Sequence, residues 1–175
     1  MIRVTADSNI YISALNFGGT PLRLLDLATE GEIILSSSAW IISEIREVLN
    51  MKFGWPMEDV NRAEEFVFSI TEPVRVEPEL NVIHEDPDDN HVLECALADR
   101  SEYIVTGDKH LLKLRQFANI RIMKVADFIE LLEGLAAMSQ RDELNVTLPS
   151  AEVLISQEIH LPRGEVAEWS KAAVC

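Results

Sequence analysis

The chain has 175 residues, 47% of them hydrophobic, with 15 Lys and Arg against 30 Asp and Glu for a formal charge of −15. That length and apolar content allow one domain with a full core plus a tail. The acidity disfavours broad electrostatic binding of nucleic acid, and two cysteines, Cys95 and Cys175, supply no disulfide framework.

The opening MIRVTADSN has neither a charged leader nor an apolar stretch of signal-peptide length. No segment approaches the ~20 apolar residues of a membrane span. The expected setting is the cytoplasm, without membrane contact.

Taken in chain order, Ile2 and Val4 open a short strand that ends at ADSN. SNIYISALN reads as a helix closed by Gly18 and Gly19. Thr20-Pro21 starts a second helix, whose apolar face lies in LRLLDLATE up to Gly31. EIILS is a buried strand, and Ser38 is placed to cap a helix through AWIISEIREVLNMKF. Gly54 breaks that helix, and Pro56 begins another that reaches Ser69. PVRVEP reads as a strand, followed by a helix from Asp88 to Arg100, the strand YIVT and the short helix DKHLLKL. The strand IRIM and a helix from Ala126 to Ala136 complete the order. Strands alternating with helices imply an α/β domain whose mostly parallel sheet is covered on both faces. In such sheets ligands bind beyond the carboxyl ends of the strands.

Asp7 directly follows the first strand, and Asp108 follows YIVT with one glycine between, so both fall on that rim. In the helix after Asp88 the apolar stripe is Val92, Leu93, Ala96 and Leu97, and one turn earlier it lands on Asp89. Asp86 precedes Pro87 outside the helix, and Asp88 is placed as a cap. Glu44 has Trp40, Ile41 and Val48 among its four helical neighbours, whereas Glu47 has mostly polar ones. Glu44 is therefore the inward acid of that pair.

Singly, each acid has an ordinary account: Asp7 and Asp89 as caps, Glu44 in a buried ion pair, Asp108 in a turn. Together, four inward or rim-facing carboxylates with few bases near them cost several kcal/mol to bury unpaired, on the order of the usual penalty. A divalent cation removes that cost, and oxygen-only ligands favour Mg²⁺ or Mn²⁺ over zinc. The four histidines show no zinc-ligand spacing. Against the acidic background, Lys109, Lys113, Arg115, Arg121 and Lys124 follow one another without an acid between them. That stretch is either a solvated surface or a phosphate-contacting patch.

TADSNIYISAL, SSAWIISEIREVL, DPDDNHVLECALA and YIVTGDKHLLKL stand in the order and spacing of PIN-domain ribonucleases. Over residues 1–138 the chain resembles that family, and within it the VapC-type toxins of type II toxin–antitoxin systems. The resemblance implies a three-layer α/β/α domain and a metal-dependent endoribonuclease. Its pocket would take one acid from each motif, at Asp7, Glu44, Asp89 and Asp108, as catalytic groups and metal ligands. Ser8, Asn9 and Thr106 match the supporting polar positions. Mg²⁺ or Mn²⁺ held there would activate water for attack on an RNA phosphodiester, leaving a 3′-hydroxyl and a 5′-phosphate. Lys109, Lys113 and Arg115 are weaker candidates for substrate contact. The resemblance also implies a homodimer or higher oligomer and an antitoxin protein seated on apolar helices around Tyr11–Leu27 and Trp40–Phe53.

Residues 139–175 extend past the resemblance as a C-terminal extension, in which EVLISQEIH reads as a strand or short helix. The last dozen residues, GEVAEWSKAAVC, look like translation into a transfer-RNA gene, so no role is expected of Trp169 or Cys175. Three other functions fit parts of the sequence. A housekeeping RNA-processing nuclease would share the pocket. An aspartyl-phosphate enzyme would need the second acid that DSN lacks. A non-catalytic interaction module would use the acids as caps alone.

Overall fold

A computed structural model of the chain describes residues 1–77 and 80–146, with side chains placed as far as 138. The readings of EVLISQEIH, of the last dozen residues and of Cys175 lie outside the described residues.

Six strands form one sheet in the order β3-β2-β1-β4-β6-β5. β1 (Ile2–Ala6), β2 (Ile33–Ser38), β3 (Thr71–Val74), β4 (Tyr103–Val105) and β6 (Ile120–Met123) run parallel. The two-residue β5 (Gln116–Phe117) is antiparallel to β6. The helices between them are α1 (Ser8–Phe17), α2 (Gly19–Thr29), α3 (Ala39–Glu47), α4 (Met57–Ile70), α5 (Asn90–Asp99), α6 (Lys109–Leu114) and α7 (Val125–Val146). The fold is three-layered α/β/α, and Met1–Ser139 packs as one compact unit. Among the described residues no helix is long and apolar enough to cross a membrane.

The central strands read as near-continuous apolar runs because helices cover both faces. Val4, Ala6, Leu35, Ile104 and Val105 are fully buried or nearly so. α5 lies against β1, β2 and β4 and is buried almost all round, including Cys95, whose thiol burial pushes up to about 11. The expected stripe holds for Val92, Leu93 and Ala96, but Leu97 is exposed. Cys95 takes the fourth buried place, because a helix enclosed on several sides does not keep a single narrow stripe.

Three element bounds differ from expectation. β3 begins at Thr71, before the PVRVEP segment, and stops at Val74. Its partner β2 ends at Ser38, paired with Val74, so residues beyond have no strand to extend against. A hydrogen bond of 2.8 Å between the Ser37 and Thr71 hydroxyls fixes that register. The helix begun at Ala39 widens to a π turn over Val48–Lys52 before Gly54 ends it at φ +70°, a left-handed value that glycine tolerates. The last helix runs on to Val146. β5 has no warning in the sequence: its turn passes through Ala118 at φ +50°, held by Gln116 donating to the Ala118 carbonyl at 2.8 Å.

At the amino end of the sheet, Arg3 bridges Asp99 and Glu72, and Ser101 Oγ donates to Asp99 at 2.6 Å. A hydroxyl chain continues inward from Ser101 to Thr5 and Ser36. The buried acid of that end is fully partnered.

Candidate functional site

The acids gather at the opposite end of the sheet. Asp7 closes β1, and its backbone N–H donates to the Val105 carbonyl of β4 at 3.0 Å. Its carboxylate is buried and fixed on both oxygens. Thr106 Oγ1 donates to Oδ2 at 2.8 Å, while Ser8 Oγ donates to Oδ1 at 3.2 Å. The Asn9 backbone N–H reaches Oδ1 at 3.4 Å, which makes Asp7 the cap of α1, while the Asn9 side chain is exposed. Thr106 also accepts the Asp108 N–H at 2.9 Å, so one buried hydroxyl sets the spacing of two acids. Asp108 caps α6 by accepting the His110 N–H at 2.6 Å.

Glu44 on α3 is half-buried beside the same corner, with Ser8 Oγ in hydrogen-bonding reach. Burial raises its pKa, and the negative charges of Asp7 and Asp88 raise it further. Asp89 is also half-buried. Desolvation first, then Asp108, Asp86 and Asp7, push its carboxyl up to about 7. Asp108 is the charged neighbour that acts most strongly on Asp89. Asp7 is thus the member that acts on both Glu44 and Asp89.

One atom tests whether a cation fits. Asp89 Oδ2 is buried and has no hydrogen-bond partner among the described residues. An unpartnered buried carboxylate oxygen costs about 1–3 kcal/mol or more. Asp108 adds negative charge nearby, and no described Lys or Arg pairs with Asp7, Glu44, Asp89 or Asp108. Oxygen donors, excess negative charge and an orphaned lone pair suit a hard divalent cation. The electrostatic couplings run from Asp7 to both Glu44 and Asp89 and from Asp108 to Asp89. Among the described residues no three His, Cys, Asp or Glu side chains converge as a closed ligand set.

The segment carrying Asp86, Asp88 and Asp89 is shaped by a residue that sequence reasoning missed. Buried Asn90 accepts the N–H groups of Val82 and Ile83, both at 2.9 Å. Its amide nitrogen donates to the carbonyls of Ile83 and Pro87, again at 2.9 Å. All four hydrogen-bonding positions of the side chain are used, and residues 82–87 are pinned beneath Asp89. Glu94, one turn on, accepts the Leu80 N–H at 2.8 Å and contacts His91 Nδ1 at 2.9 Å. A polar pair spaced i, i+4 on a buried helix was the available signal. Asp88 proves not to be the expected cap. It is exposed on a 3₁₀ turn over Pro87–Asp89, makes no capping bond, and faces Glu44 across a groove.

That groove has a volume of about 280 Å³ and is bounded by Trp40, Ser43, Glu44, Glu47, Val48, Met51, Lys52 and Asp88. Glu47, which its neighbours had marked as outward, shares this groove with Glu44. The basic stretch does not form one patch. All five side chains are exposed, but Lys109 and Lys124 lie at the carboxyl ends of strands. Arg115 and Arg121 lie at the other end of β6, where the Ile122 N–H donates to the Arg115 carbonyl at 2.8 Å. Lys113 pairs with Glu85 at 3.5 Å.

A mostly parallel α/β/α sheet with carboxylates on its carboxyl rim places them where ligands of such sheets bind. The sequence profile of the PIN domain matches residues 3–110, a span that includes all four acids. The chain belongs to the PIN domain family, whose members are generally nucleases and typically use divalent metals. No individually curated protein matches the chain.

Proposed function

We propose that the protein is a Mg²⁺- or Mn²⁺-dependent endoribonuclease, with Asp7, Glu44, Asp89 and Asp108 as metal-holding catalytic acids. The observation that carries this most directly is the orphaned, buried Oδ2 of Asp89 beside Asp108. When bound, the ion supplies acidified water and positive charge near the phosphodiester oxygens. The chain's own residues do the rest. Ser8 and Thr106 hold both oxygens of Asp7, so its lone pairs keep a fixed direction. The Asn9 and His110 backbone amides steady Asp7 and Asp108. Burial and its acidic neighbours raise the Asp89 carboxyl to about 7, so cation binding there competes with a proton. Lys109, exposed next to Asp108, is the basic side chain best placed for a substrate phosphate, ahead of Lys113 and Arg115. The products expected are a 3′-hydroxyl and a 5′-phosphate.

The test is cleavage of total RNA with Mg²⁺, Mn²⁺ or chelator, with the new ends mapped. Activity that survives chelation, or that is undiminished in Asp7→Asn, would remove the assignment.

We further propose that this nuclease is the toxin of a toxin–antitoxin pair, supported by the likeness of its four motifs to VapC-type toxins. Tyr11 and Leu27 belong to the core, so the large exposed apolar side chains these two segments leave for a partner's helix or a second copy are Phe17, Leu22, Met51 and Phe53. The Phe17 and Phe53 rings meet edge-on at 6.0 Å. Expression should arrest growth, and co-expression of a neighbouring antitoxin gene should relieve the arrest. A housekeeping nuclease with the same pocket would do neither.

A further inference from the structure

The groove beside Glu44 differs in chemistry from the acid pocket it adjoins. Trp40, Glu44, Glu47 and Met51 follow one another at helical spacing and form one wall, with Asp88 and Lys52 also on its border. The Trp40 ring is braced: the His91 imidazole packs on it at 4.6 Å with a 31° tilt, and Glu94 holds His91. Trp40 thus borders the groove with a ring already held in place by His91. The volume of about 280 Å³ lies just below the range of sites for drug-sized ligands, which is room for one nucleoside rather than a duplex.

Charge decides which part of a nucleotide enters. Glu44, Glu47 and Asp88 outnumber the single cation Lys52, so phosphates are kept to the mouth and a base is admitted. A carboxylate accepts hydrogen bonds and cannot donate them. Guanine presents two adjacent donors, N1–H and the N2 amino group, which match both oxygens of one carboxylate. Adenine and cytosine place a ring-nitrogen lone pair next to their amino donor. Uracil flanks its one N–H with two carbonyls. A carboxylate repels those acceptors. Glu44 belongs to the acid pocket and Asp88 stands close enough to perturb it, which leaves Glu47 to meet the base.

We propose that this groove is a guanine subsite next to the cleavage point, with Trp40 as stacking platform and Glu47 as the group that reads the base edge. The inference rests on the nuclease reading above and names the base its site prefers. Single-stranded recognition by stacking plus edge contacts is the general mode for RNA.

The experiment has two arms on the full chain. In the first, indole fluorescence is titrated with guanosine, adenosine, cytidine and uridine without metal, in wild type and Trp40→Phe. Guanosine should quench wild type most strongly, and the excess over the other nucleosides should vanish in Trp40→Phe, which leaves Trp55 and Trp169 in place. In the second, short single-stranded RNAs differing only at one guanosine are cleaved with Mg²⁺ or Mn²⁺. Trp40→Ala should raise KM by about ten- to one-hundredfold with a much smaller change in kcat, and Trp40→Phe should recover most of the loss. Glu47→Gln should reduce a guanosine-over-adenosine preference of about tenfold or more to near unity. Cleavage indifferent to guanosine, with KM unmoved in Trp40→Ala, would overturn the subsite and leave the nuclease standing. If wild type cuts no RNA with either metal, the nuclease reading falls, and equal quenching by all four nucleosides then overturns the subsite separately.

Discussion

Helix α5 carries a buried or half-buried acid at each end, and the two are treated in opposite ways. Asp99, at the amino edge of the sheet, is held by Arg3 and by the Ser101 hydroxyl. Asp89, at the carboxyl edge, has an oxygen with no donor and sits against Asp108. The same helix therefore shows what a structural acid looks like when the fold provides partners, and what remains when it does not. Burial alone does not distinguish them; the presence of a countercharge does.

Substitutions should separate the two ends, beginning with the largest effect. Asp89→Asn or Asp7→Asn should lower RNA cleavage by about one-hundredfold or more, the scale of losing one electrostatic element of a site. The melting temperature of Asp89→Asn should hold or rise, because a repelled carboxylate has been removed. A fall in both cleavage and stability would make Asp89 structural like Asp99. Asn90→Ala should cost about 3 kcal/mol in denaturant unfolding, since it strands two N–H and two carbonyl groups. Asp99→Asn should cost about 2 kcal/mol, discounted because Arg3 is partly exposed and keeps Glu72, while kcat/KM per folded molecule stays at the wild-type value.

The smallest effect is a pH-dependent one. Asp89 is raised from an ordinary 3.8 to about 7 in the folded chain. Its contribution to metal-free stability is therefore complete below the ordinary value and is lost as pH rises through about 7. Mg²⁺ competes with the same proton. Its stabilising shift, a few degrees by the usual scale (~2–4 °C), should thus be larger at pH 8 than at pH 6, and the difference should flatten in Asp89→Asn. Thermal melts with and without Mg²⁺ at the two pH values measure it.

The elements with strong periodicity or punctuation were legible before the fold was seen. IRIM forms the strand expected of it, and Ser38 caps α3 by accepting the Ile41 N–H at 3.4 Å. The acids at strand ends, Asp7 and Asp108, could be placed because a parallel sheet directs its carboxyl ends to one rim. What escaped depends on partners distant in sequence. The end of β3 is set by the end of β2, Glu47 joins a groove whose other wall is Asp88, and Asn90 acts on backbone seven or eight residues away. No local pattern contains that information.

The sheet's margins also constrain how the protein can associate. β3 is four residues long and includes Pro73, which has no N–H to offer; β5 is two residues long. An incoming strand would find almost no ladder on either flank, so growth of the sheet into a neighbouring molecule is blocked from both directions. Among the described residues, assembly would therefore be built by side chains meeting across helical surfaces rather than by backbone pairing along either edge of the sheet.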